Sequence, residues 1–62
     1  MDYIYCAVDK NNNIRWVPHG ADPAELFYFT EEGLSEDIEW HNKYHSNDLW
    51  RVGKFKLVEI KQ

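Results

Sequence analysis

Sixty-two residues suffice for one small domain, and a chain this short buries only about 60% of the surface it exposes when unfolded. Such scaffolds rely on disulfides, a metal, a partner or an unusually rich core. Cys6 is the only cysteine, which rules out an internal disulfide, and the net charge of −4 argues against a duplex nucleic-acid binder, whose basic patch must neutralise phosphates.

Three Trp, four Tyr and three Phe point instead to an aromatic core, since each ring can bury roughly 150–250 Å². The lone cysteine, and a start at Met1-Asp2-Tyr3 with no basic leader or apolar run behind it, suggest a reducing, cytoplasmic setting. No apolar stretch approaches the roughly 20 residues of a bilayer span, so no membrane association is expected.

Along the chain, Tyr3 to Val8 reads as a strand. Ile4, Cys6 and Val8 fall on one face, and Tyr3, Tyr5 and Ala7 on the other. Asp9-Lys10-Asn11-Asn12-Asn13 is a hairpin loop, because Asn and Asp tolerate left-handed backbone and close tight turns. Ile14 to Val17 is the return strand, ended by Pro18, and His19 to Ala24 is turn-like, with Gly20 and Pro23. Leu26 to Phe29 is either a short strand or an apolar lead-in to a helix.

Thr30 is placed to cap that helix, with Glu31 and Glu32 in a first turn that favours negative charge. Gly33 weakens this start and leaves Ser35 as an alternative cap. The helix runs to about His45. At helical spacing Leu34, Ile38, His41 and His45 form one thin stripe, flanked by Tyr44 and Asp37. Glu32, Glu36, Glu39 and Lys43 lie on the far side, with Trp40 between the flank and the acids. Glu39 and Lys43 have the favourable order for an ion pair.

Ser46-Asn47-Asp48 turns the chain into a final strand, Trp50 to Ile60. Its alternation slips at Gly53, and a bulge at Gly53-Lys54 would bring Trp50, Val52, Phe55 and Leu57 to the helix side. The expected fold is therefore α+β: an antiparallel sheet of three or four strands with one helix across one face, in a single domain over residues 1–62. The uncovered face would carry Tyr3, Tyr5 and Val17.

Charge is sharply segregated along the chain. From His19 to Glu39 there is no Lys or Arg, yet the stretch holds Asp22, Glu25, Glu31, Glu32, Glu36, Asp37 and Glu39. Lys43, Arg51, Lys54, Lys56 and Lys61 follow. Such polarity bears on partners rather than on fold. Its plainer explanation is a solvated helix face with acids at the helix start. The functional explanation is a contact surface of Glu32, Glu36, Asp37 and Glu39 with Trp40 as its apolar anchor, docking on a basic protein surface.

Other constellations are weaker. His41 and His45 have the spacing of half a helical zinc site, but His41-Asn42-Lys43-Tyr44-His45 lacks the glutamate of HExxH. A third ligand would have to come from His19, Asp37 or Cys6, so the plainer expectation is two packed histidines and no metal. Mid-strand Cys6 reads as an inert thiol. The helix carboxylates sit on a solvated stripe rather than opposed in a cleft, so no enzyme activity and no cofactor are expected. Tyr3 and Tyr5 could form a stacking platform for single-stranded nucleic acid, ringed by Arg15, Lys54 and Lys56. With Val17 they could instead serve self-association into a homodimer with a structural role, which ranks ahead of nucleic-acid binding. Their plainer role is that of ordinary strand formers.

Val8-Asp9-Lys10-Asn11-Asn12-Asn13-Ile14-Arg15, Trp40 to His45, Asp48 to Val52 and Phe55 to Glu59 resemble the pattern D-K-N-G-N-I-R … H-N-K-Y … D-D-P-W-R-V … F-E-L-V of short phage and prophage proteins. Asn12 stands where that pattern has Gly, and Leu49 where it has Pro. The likeness spans most of the chain except its middle. It is one of pattern rather than to a named family and carries no known activity. It implies a phage-like context, in which small acidic proteins often inhibit host enzymes or defence systems by binding them. A small acidic inhibitor or accessory protein is the resulting expectation.

Overall fold

The structure, a computed structural model, describes residues 2–19 and 21–61, with His19 described by its backbone alone. Six elements follow in order: β1 (Tyr3–Asp9), β2 (Ile14–Arg15), β3 (Val17–His19), β4 (Asp22–Glu25), α1 (Glu31–Tyr44) and β5 (Trp50–Lys56). The fold is α+β, with α1 packed on a three-stranded antiparallel sheet of order β2-β1-β5 and a separate two-stranded sheet formed by β3 and β4.

The loop closing β1 onto β2 is organised by Asp9. Its Oδ1 accepts the backbone N–H groups of Asn11 (2.9 Å) and Asn13 (3.0 Å), and its Oδ2 accepts from Arg15 Nη1 (3.2 Å). The Asn12 amide donates to the Asp9 carbonyl at 3.0 Å, and Asn12 itself takes φ 65°, a left-handed conformation that asparagine tolerates. Arg51 of β5 ties the loop from the other side, donating to the Asp9 carbonyl (3.1 Å) and to Asn12 Oδ1 (3.0 Å).

The register of β1 with β5 runs unbroken from Tyr3 opposite Lys56 to Asp9 opposite Trp50. The bulge expected at Gly53-Lys54 is therefore absent, and the change of phase is real: Trp50 and Val52 face α1 while Phe55 faces the opposite side. Gly53 answers a need for room. A Cβ there would stand 2.7 Å from Val8 Cγ2 and 2.8 Å from Phe55 Cε2.

Helix α1 covers the face carrying Tyr5 and Ala7, not the Ile4–Cys6–Val8 face. The core is Ala7, Val17, Leu34, Ile38 and Trp50, with Tyr5, Tyr28 and Val52 packed against it. Ala7 allows close approach where the helix crosses. Leu34 and Ile38, both buried, each contribute about 1.5–3 kcal/mol by leaving water. Cys6 and Val8 are also buried, on the far face, so the second half of β1 is closed from both sides and offers no apolar–polar alternation to read.

The expected return strand over Ile14–Val17 is instead broken at Trp16. The chain leaves the main sheet there, and Val17 joins the small sheet opposite Glu25. The segment read as a turn is a second hairpin, whose Pro18 and Pro23 sit in short peripheral strands where a missing N–H is tolerated. Gly20, assigned to that turn, lies outside the described residues. In Leu26–Phe29 only Tyr28 pairs, as an isolated antiparallel bridge to Tyr5 with two 2.8 Å backbone bonds. Thr30 is the N-cap residue by position, though its side chain makes no capping bond.

Candidate docking surface

Along the outer side of α1, Glu32, Glu36, Trp40 and Tyr44 recur every fourth residue and form a ridge, with Glu39 beside it; all five are exposed. Trp40 is 60% exposed and leans on Tyr44, ring centroids 4.8 Å apart. Among the described residues no ion pair engages Glu32, Glu36 or Glu39. The expected Glu39–Lys43 pair does not form. The Lys43 ammonium instead lies over the Tyr44 ring, 5.6 Å from its centroid.

Asp37 departs from this set. It is half-buried and accepts a 2.9 Å hydrogen bond from the Tyr28 hydroxyl, which joins the helix to the segment bridged to β1. Burial, then this bond and the negative charges of Asp37 and Glu25, push the Tyr28 phenol above its ordinary range. Asp37 therefore anchors the helix as well as adding charge beside the ridge.

A groove of about 500 Å³ opens beside Trp40, lined by Val17 and Pro18 of β3, by Asp37, Trp40 and His41 of α1, and by Trp50. The Trp50 side of the groove is firmly built. Trp50 N–H donates to Asn42 Oδ1 (2.9 Å) and Asn42 Nδ2 donates back to the Trp50 carbonyl (3.0 Å), so one side-chain amide imitates a neighbouring strand. The His41 ring stacks on the Trp50 indole at 3.4 Å, and the indole N–H donates to Asp48 Oδ2 at 3.2 Å. His41 Nε2 donates to the Asp48 carbonyl (2.8 Å), which requires the proton on Nε2.

His41 and His45 stack on each other with centroids 4.8 Å apart. Because His41 Nε2 carries a proton, that nitrogen has no lone pair for a cation. Among the described residues no three His, Cys, Asp or Glu side chains gather as a metal site. The His19 side chain, one proposed third ligand, lies outside what is described. Cys6 is buried in the sheet, and burial raises its thiol above the ordinary range.

The second expected surface breaks up. Val17 is 2% exposed and belongs to the core, because the chain leaves the main sheet at Trp16 and Val17 packs into the cluster of Ala7, Leu34, Ile38 and Trp50. Tyr5 is half-buried against the same core. Tyr3 stays exposed, but the Lys54 ammonium already sits 4.3 Å from its ring centroid. No open tyrosine platform results. The exposed aromatics that charge and periodicity missed are Trp16, Phe27 and Phe29, the last two edge-to-face at 5.5 Å. The sequence signal for Phe27 and Phe29 was their clustering in a segment too short for a helix, and Trp16 lay in the expected return strand.

No family model, no curated protein and no solved structure matches this chain. No helix among the described residues is long and apolar enough to cross a membrane.

Proposed function

We propose that this protein is a non-enzymatic binding module that docks the acidic ridge of α1, with Trp40 as its anchor, on a basic surface of another protein. The observation that carries this reading is the state of the ridge: Trp40 is exposed and Glu32, Glu36 and Glu39 have no cationic partner among the described residues. A ring that can be desolvated inside a rim of unpaired charge is the arrangement that interface hot spots favour. The groove beside Trp40 offers apolar walls for a side chain of the partner. The likeness to phage and prophage proteins supports a host protein as the target and inhibition as the consequence, in the cytoplasm.

Affinity capture from the host's extract, run with the wild type and with a Glu36→Lys/Glu39→Lys variant, tests this. The partner retained by the wild type should be lost by the variant and released as salt rises, because exposed charges are screened beyond about 8 Å at physiological ionic strength. Equal retention by a folded variant contradicts the reading.

A second reading, self-association, draws on the exposed Trp16, Phe27 and Phe29 patch rather than on Tyr3 and Val17. Sedimentation at micromolar concentration separates the two: a dimer that Trp16→Ala dissolves favours the second, and a monomer removes it.

A further inference from the structure

We propose that the outer edge of β5 is a strand-addition site for an extended segment of a partner that carries carboxylates on alternate residues. β5 is an edge strand, paired among the described residues on the β1 side only. Which of its backbone groups point away from the sheet follows from the bonds around it. Tyr5 directs its N–H and C=O to Tyr28, on the β2 side of β1, so its pairing with Lys54 is of the type without direct hydrogen bonds. Leu57 N–H donates to the Asp2 carbonyl at 2.7 Å, which fixes the opposite phase. Trp50, in the same phase as Lys54, turns its N–H and C=O outward, and there Asn42 takes both.

Beyond Trp50 the outward groups belong to Val52, Lys54 and Lys56, and among the described residues none of them has a hydrogen-bond partner. The Asn42 clamp is thus a built first rung, and the next three rungs are open. A partner strand adding here would use main-chain bonds for affinity and alternate side chains for selection.

The charge on this edge selects the occupant. Lys54 and Lys56 are exposed and lie on one face of the sheet, two residues apart. A strand hydrogen-bonded to this edge places its own side chains opposite them at the same spacing, so carboxylates fit those two places. The residue between them falls on the other face, beside Phe55, where an apolar side chain fits. A second copy of this chain does not suit the edge. Two β5 strands laid antiparallel bring lysines onto lysines, a device by which edge strands resist self-pairing.

The site is distinct in place and in sign of charge from the α1 ridge, so it stands or falls separately. A capped peptide of alternating glutamate and valine, about nine residues long to span the strand, is the probe. Amide exchange followed by NMR reads the result residue by residue. Saturating peptide should slow exchange at Val52, Lys54 and Lys56 by about tenfold or more. It should leave Arg51, Gly53 and Phe55, already bonded to β1, nearly unchanged. A peptide with lysine in place of glutamate should give no protection, and a Lys54→Glu/Lys56→Glu variant should exchange the two preferences. Methylating the peptide's edge-facing amides keeps its charge and should abolish protection. Equal protection by the methylated peptide, or none by the glutamate peptide, overturns the proposal.

Discussion

Trp50 and Trp40 line the same groove and differ in almost everything else. Trp50 is 8% exposed, stacked on His41, bonded through its indole and clamped through its backbone by Asn42. Trp40 is 60% exposed, and among the described residues its aromatic partner is its helix neighbour Tyr44. The carboxylates divide in the same way. Asp9, almost wholly buried, spends both oxygens on its own loop and on Arg15, whereas Glu32, Glu36 and Glu39 bind nothing among the described residues. One end of the groove is framework and the other is available surface. Residue type alone does not separate them; satisfied hydrogen bonds do.

The sharpest way to break this contrast is Trp50→Ala. Removing a buried Trp costs about 3–5 kcal/mol, a large share of the stability of so small a domain, so cooperative unfolding in urea should vanish or move to very low denaturant. Asn42→Leu keeps the volume but leaves the Trp50 N–H and C=O without their partner. The expected loss is about 1–3 kcal/mol, seen as a lower urea midpoint with unchanged slope. An unchanged midpoint would show that the clamp is incidental.

Acid titration comes next. The backbone N–H of Asn13, then that of Asn11 and the Arg15 guanidinium, hold the Asp9 carboxyl below its ordinary range against the opposing effect of burial. The unfolded chain therefore takes up this proton first. The stabilisation is present above the ordinary aspartate value, about 3.9, and is lost as pH falls toward the depressed folded value. Asp9→Asn should flatten the acid limb of stability against pH. On the alkaline side Tyr28 acts in the opposite sense. Its phenol is raised on folding, so its contribution is present below the ordinary tyrosine value and fades as pH rises past it. Tyr28→Phe should flatten that limb. The smallest effect on folding is expected at the free end: Trp40→Ala should shift stability by no more than about 0.5 kcal/mol in a urea melt.

Much of this was legible in the sequence. The Asp9–Asn13 loop announced its hairpin through residues suited to left-handed backbone. The Leu34–Ile38 stripe announced the buried side of α1, and the run of acids announced its outer side. The side of the sheet that α1 covers was not legible. Alternation in β1 sets Cys6 and Val8 against Tyr5 and Ala7, and hydrophobicity favours the former, but both faces are buried from Cys6 onward. Small Ala7 marks the helix contact, and smallness carries little hydrophobic signal. The second hairpin was hidden by Pro18 and Pro23, which read as strand breakers although short peripheral strands accept them. The Asn42 clamp has no periodic signature, since a helix asparagine meets the start of β5 only once the chain has turned at Asp48. At the ridge, Glu32, Glu36, Glu39 and Trp40 lie where helical spacing puts them. Asp37 lies at the flank of the buried stripe, as the same spacing requires, but its bond to Tyr28, a partner distant in the chain, left no local trace.

The most direct test of the free end is partner capture by three proteins side by side: the wild type, Glu36→Lys/Glu39→Lys and Trp40→Ala, each first shown by its urea melt to be folded. The expected result is one basic partner held by the wild type, released progressively by salt, and lost by both variants. Retention of that partner to the same extent by all three, at low and high salt alike, would contradict the account of α1 as the docking surface.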